Sequence, residues 1–118
     1  MAMPIKRTPG TAAGRSRIVE HDGLVYTVAV AREKLPSMKA QTADALARID
    51  ANLAEAGSHK SRILSATVYI ADMGRKAEMN EAWLAWVDPA NAPMRACLGV
   101  ELEGDDLVEI VVTAAKSG

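Results

Sequence analysis

Apolar and polar positions divide this chain into short strands and two helices. Arg17-Ile18-Val19-Glu20-His21 reads as a strand, Asp22-Gly23 as a tight hairpin turn, and Leu24-Val25-Tyr26-Thr27-Val28-Ala29-Val30 as a second strand rich in β-branched residues. Leu46, Ile49, Leu53 and Ala56 then recur at helical spacing, with Arg48, Asp50, Asn52 and Glu55 between them. Ser37 suits the N-cap of that helix and Gly57 its stop. From Ile63 to Ile70, Leu64, Ala66, Val68 and Ile70 alternate with Ser65 and Thr67, which predicts a strand with one apolar face. Met79, Ala82, Trp83, Trp86 and Val87 make the stripe of a second helix, with Asp72 a candidate cap and Pro89 ending it.

The last quarter holds two more apolar runs, Ala92 to Val100 and Leu107 to Ala115, joined by an acidic turn. They read as a closing hairpin. The predicted order is β-β-α-β-α-β-β, an α+β architecture with both helices on one face of a mixed sheet. Residues 1–14, with Pro4, Pro9, Gly10 and Gly14, read as a flexible tail, and residues 15–118 as a single domain.

Composition narrows the function classes. The chain has 118 residues, 49% of them hydrophobic, which is enough for one core and an oligomer contact. A net charge of −1 gives no footprint for nucleic acid or anionic membrane. With two Trp, two Tyr and no Phe, a base-stacking platform is not expected. One cysteine, Cys97, precludes an intrachain disulfide and suits a reducing compartment. No stretch reaches membrane-span length, and the basic amino end lacks the apolar segment of a secretory signal, so a cytoplasmic protein is expected.

Most catalytic signatures are missing. There is no glycine-rich phosphate loop, and His21 and His59 have no metal-ligand spacing around them, so no metal is expected. Cys97 reads as a small buried hydrophobe of a strand. What stands out is one charge in each of the last two runs, Arg95 and Glu109. A charge inside an apolar strand is costly unless paired or used. An ion pair or two solvent-facing edge charges would account for them. Functionally, a guanidinium grips a carboxylate bidentately, and a nearby acid can activate a water. In a closing hairpin Arg95 would lie opposite Ala114 and Glu109 opposite Val100, roughly 16 Å apart at ~3.3 Å per residue. A shared ligand would then require Arg95 from one chain and Glu109 from the next, hence an oligomer.

At these residues the chain resembles the RidA/YjgF family of reactive-intermediate deaminases, with a spelling similar to the YoaB-like branch. Pro93-Met94-Arg95-Ala96-Cys97 through Val108-Glu109-Ile110 resembles the family's signature block. Leu24-Val25-Tyr26-Thr27, Ala54-Glu55-Ala56-Gly57, Ile63 to Asp72 and Met79 to Val87 extend the likeness over about residues 15 to 115. The resemblance implies a chorismate-mutase-like fold and a homotrimer with clefts between subunits. It also implies hydrolysis of 2-imino acids to 2-keto acids and ammonia, without a cofactor. In that picture Arg95 holds the substrate carboxylate, the backbone at Cys97 adds a contact, and Glu109 positions the attacking water. A non-catalytic trimer that binds a small carboxylate and regulates a partner is the alternative.

The chain departs from the family pattern around the implied cleft. Arg15 stands near a position where archetypal members carry Tyr, and Val28-Ala29-Val30 replaces Ser-Gly-Gln. The wall becomes more apolar, while positive charge at Arg15 would favour a dicarboxylate or another anion.

Overall fold

The computed structural model describes residues 3–117. It contains six strands and two helices: β1 (Lys6–Pro9), β2 (Ser16–His21), β3 (Leu24–Val30), α1 (Met38–Glu55), β4 (Ile63–Ile70), α2 (Lys76–Trp86), β5 (Met94–Gly99) and β6 (Val108–Ala115). The chain has an α+β fold. The expected flexible tail contains a strand, because β1 pairs antiparallel with β2 from Lys6↔Glu20 to Pro9↔Ser16. Pro9 is tolerated because β1 is an edge strand, where a missing N–H can face outward.

Local chemistry explains the element ends. Asp22 and Gly23 both take positive φ, 50° and 78°, as a two-residue hairpin turn between twisted strands requires. Ser37 caps α1 by accepting the Ala40 N–H at 3.0 Å. At the other end the Ser58 N–H reaches the Leu53 carbonyl and the Gly57 N–H reaches that of Ala54, with Gly57 at φ 73°. These paired bonds satisfy carbonyls that the helix leaves open. Asp72 caps a short 3-10 turn (Met73–Arg75) that leads into α2. In β4 it is Ile63, not Leu64, that turns inward, because the register with β6 shifts between Ile63 and Ser65.

The sheet order is β1-β2-β3-β6-β4-β5. The expected closing hairpin does not form. β4 lies between β5 and β6, pairing parallel with β5 and antiparallel with β6. Two physical reasons apply. A helix between two strands makes the β4-α2-β5 segment a crossover unit, whose strands run parallel. The link over residues 100–107 also exceeds the usual two-to-five-residue hairpin loop. That length lets β6 enter the centre of the sheet, where a strand of Val, Ile and Ala is buried best.

Both helices lie on one face, α1 over β3 and β6 and α2 beside α1. Ile18, Val25, Leu46, Ile49, Leu53, Val68, Ile70, Met79, Val108 and Ile110 fill the layer between. No helix among the described residues is long and apolar enough to cross a membrane. Among the described residues no helix covers the opposite sheet face. Tyr26, Met94, Leu98 and Val111 are exposed there, an apolar patch of the kind that marks an interaction surface.

Candidate functional site at the edge and open face of the sheet

Arg95 sits on β5, an edge strand whose outer row of backbone groups has no partner strand among the described residues. Its side chain turns to the helical face. The guanidinium carbon lies 5.2 Å from the centre of the Trp83 ring, and Nη1 is 3.8 Å from the Met79 sulfur. Stacking on an indole holds the planar fork in place without neutralising it. Cys97, two residues on, shares that face and packs against the core. The helical spacing of Met79 and Trp83 marks them as core positions; nothing in it shows that they carry Arg95.

Glu109 lies on the other face. In β6, Val108, Ile110, Val112 and Ala114 are buried beneath the helices, so Glu109, Val111 and Thr113 point away from them. Arg95 pairs with Ala66, which pairs in turn with Val112, whereas Glu109 pairs with Tyr69 and through it with Leu98. The two charges are therefore two strands and three residues apart. That geometry gives about 14 Å along the sheet, and the odd offset puts the side chains on opposite faces. The hairpin register is corrected, but its consequence stands: within one chain the pair does not share a small ligand.

Glu109 lines a cavity of about 460 Å³ bounded by the residue 9–12 segment, β2, β3 and α1. Arg15, Arg17 and Arg48 line it too, as do Val28, Ala29 and Val30. Arg17 is locked: both oxygens of Glu55 accept from its Nη2 at 2.9 Å, and Asn52 Oδ1 accepts from its Nη1 at 2.9 Å. Asn52 is itself held by donating to Thr27 Oγ1. Arg48 donates to the Val30 carbonyl at 3.0 Å. Glu109 makes no ion pair or side-chain hydrogen bond among the described residues. By its spacing Arg48 falls on the polar side of its helix; only the packing of α1 against β3 brings it to the cavity.

A larger cavity of about 770 Å³ lies away from these residues, between the loops that hold Lys34, Arg75 and Asp106. Asp106 there is answered by Lys34 at 2.5 Å, and buried Gln41 ties the loops together. This is a structural junction. His21 contacts the Pro4 carbonyl and His59 caps a short 3-10 turn, so both act locally. No group of three metal-ligating side chains occurs among the described residues.

Comparison with known proteins agrees with this architecture. The family model described as endoribonuclease L-PSP matches residues 5–116. A RutC family protein of Haemophilus ducreyi is 42% identical over 102 residues, 85% of this chain and 87% of the relative. The RutC family protein YoaB of Escherichia coli is 41% identical over 101 residues, covering 85% and 89%. The crystal structure of NMB1025 from Neisseria meningitidis, a member of the YjgF family, superposes with a TM-score of 0.93 at 40% identity and covers 98% of each chain. The likeness spans the whole sheet, both helices and the strands that carry Arg95 and Glu109, and the chain belongs to the RidA/YjgF/RutC family.

Proposed function

We propose that this protein hydrolyses 2-imino acids to 2-keto acids and ammonia in a cleft formed between subunits of a homotrimer. The observation that carries this reading is Glu109, a half-buried acid in a cavity, free of any ion pair among the described residues. A carboxylate partly withdrawn from water and left unpaired costs free energy, which use as a base would justify. Arg95 presents its fork at an open sheet edge, and the uncovered apolar face offers a second copy somewhere to dock. A neighbour seated there brings its own Arg95 toward Glu109.

The chemistry follows from the two groups. Arg95 of one subunit grips the substrate carboxylate, and the backbone at Cys97 adds a contact to the ligand. Glu109 of the next subunit takes a proton from water as the water oxygen bonds to the imine carbon. The proton passes to nitrogen, giving a carbon that bears both hydroxyl and amino groups; the hydroxyl proton then moves to nitrogen by way of the Glu109 carboxylate, the carbon–nitrogen bond breaks as the keto group forms, and ammonia leaves. Water is the only co-reactant.

Ammonia release from imines generated in situ by an amino acid oxidase tests the reading. Wild type accelerates release, while Arg95→Ala and Glu109→Ala fall to the uncatalysed rate. Wild-type activity no better than either variant removes the proposal. Saturable keto-acid binding that depends on Arg95, with no ammonia released, leaves instead a carboxylate-binding regulatory trimer.

A further inference from the structure

The charge on the Glu109 cavity bears on which substrates it takes. Arg17 is neutralised by Glu55, but neither Arg15 nor Arg48 has an ion-pair partner among the described residues. Arg15 and Arg48 against Glu109 leave a surplus of one positive charge on this wall. Arg48 is half-buried and spends one nitrogen on the Val30 carbonyl, which leaves most of its five N–H donors free for a ligand. A guanidinium without a carboxylate partner on a partly shielded wall attracts an anion more strongly than one in bulk water. Val28 and Val30 supply only apolar wall, so polar recognition falls to the arginines.

We infer that the cavity is a second anion subsite, formed by Arg15 and Arg48, and that the substrates are 2-imino acids whose side chain ends in an acidic group. This rests on the proposed function, in which the 2-carboxylate is already held by Arg95 of the neighbouring subunit. A short side chain ending in carboxylate or phosphate places its charge beside Arg48, with the imine carbon near Glu109. Both acidic groups share the chemistry that a guanidinium fork recognises.

Isothermal titration of the trimer with 2-keto acids tests this directly. Three probes are compared: 2-oxobutanoate, which has no second charge, 2-oxoglutarate, and 3-phosphohydroxypyruvate. One or both acidic probes bind about tenfold or more tighter than 2-oxobutanoate, the gain expected of one charge-assisted contact. Whichever acidic probe binds tighter identifies the terminal group. The preference shrinks in Arg15→Gln and approaches unity in the Arg15→Gln, Arg48→Gln double variant. Arg15 is exposed and makes no side-chain hydrogen bond among the described residues, so its single variant reads the effect without a folding penalty. Arg48→Lys keeps the charge and retains part of the preference. Equal binding of all three probes to wild type overturns the subsite but leaves the Arg95 clamp standing. So does a preference unaltered in the double variant. Absence of binding by every keto acid overturns the proposed function itself.

Discussion

Arg95 and Glu109 point away from opposite faces of one sheet, two strands and three residues apart. In the proposed function, one chain therefore holds two halves of different clefts. In a ring of identical subunits each such cleft would draw its arginine from one chain and its acid from the next. Arg95→Ala and Glu109→Ala, each inactive alone, should therefore complement after mixed refolding. Random assembly restores about a quarter of the wild-type clefts, because half the arginine donors and half the acid donors are intact. Ammonia release from the mixture gives the answer, and no recovery means that the groups act within one chain or not together.

The open face predicts its own failure mode. Val111 sits at its centre on β6, and a lysine there would be desolvated by a docked copy. An unpaired charge in such a contact costs several kcal/mol, about 3–5 by analogy with broken buried pairs. Val111→Lys should sediment as a monomer at micromolar concentration and keep its circular dichroism spectrum. Wild type that is already monomeric would remove the shared cleft.

Trp83 carries Arg95 as well as filling the core, and the two roles separate experimentally. Trp83→Leu keeps an apolar filler but loses the indole face, so the guanidinium is less fixed. Keto-acid affinity should fall roughly fivefold to thirtyfold, the worth of about 1–2 kcal/mol of cation–π contact. Trp83→Phe restores part of it. Similar loss of thermal stability in the two variants with different affinities marks a positioning role; equal affinities mark a structural one.

Gln41 holds the far end of the sheet together. Buried in α1, it donates to the Leu35 and Asp105 carbonyls at 2.7 and 3.0 Å and accepts from the Leu107 N–H at 2.9 Å. Gln41→Leu leaves three backbone groups without that partner and should destabilise the fold by roughly 2–4 kcal/mol. Urea denaturation measures this. A loss under about 0.5 kcal/mol, as at an ordinary surface site, would show that the junction is unimportant.

Asp88 gives a pH dependence with a definite sign. Asn91 Nδ2 donates to its carboxylate at 3.0 Å, as does the Ala90 N–H, and these bonds hold its pKa below the ordinary carboxyl value. A lowered acid favours folding above its unfolded pKa, and that contribution disappears as pH falls through the folded value. Carboxyl carbon shifts followed by NMR should place the Asp88 midpoint below that of an unstructured aspartate. Asn91→Ala should move it upward, and an unchanged midpoint would show that the side-chain bond is not the main cause.

Much of this protein is local and therefore legible in its residues. Asp22-Gly23 needs positive φ at two successive positions, Ser37 and Gly57 satisfy helix ends, and the apolar periods of residues 46–56 and 66–70 are properties of short segments. Arg95 and Glu109 declare themselves for a similar reason: each is a charge placed where apolar neighbours make charge expensive. Their partners do not. Arg48 on the cavity that Glu109 lines, Trp83 beneath Arg95 and β4 between the last two strands all depend on which strand wins the centre of the sheet. Apolar strands of similar composition compete for that place, and the outcome is set by crossover geometry and shared burial rather than by any one segment. Because side chains alternate at every residue, that choice of order and register also decides which face each charge occupies.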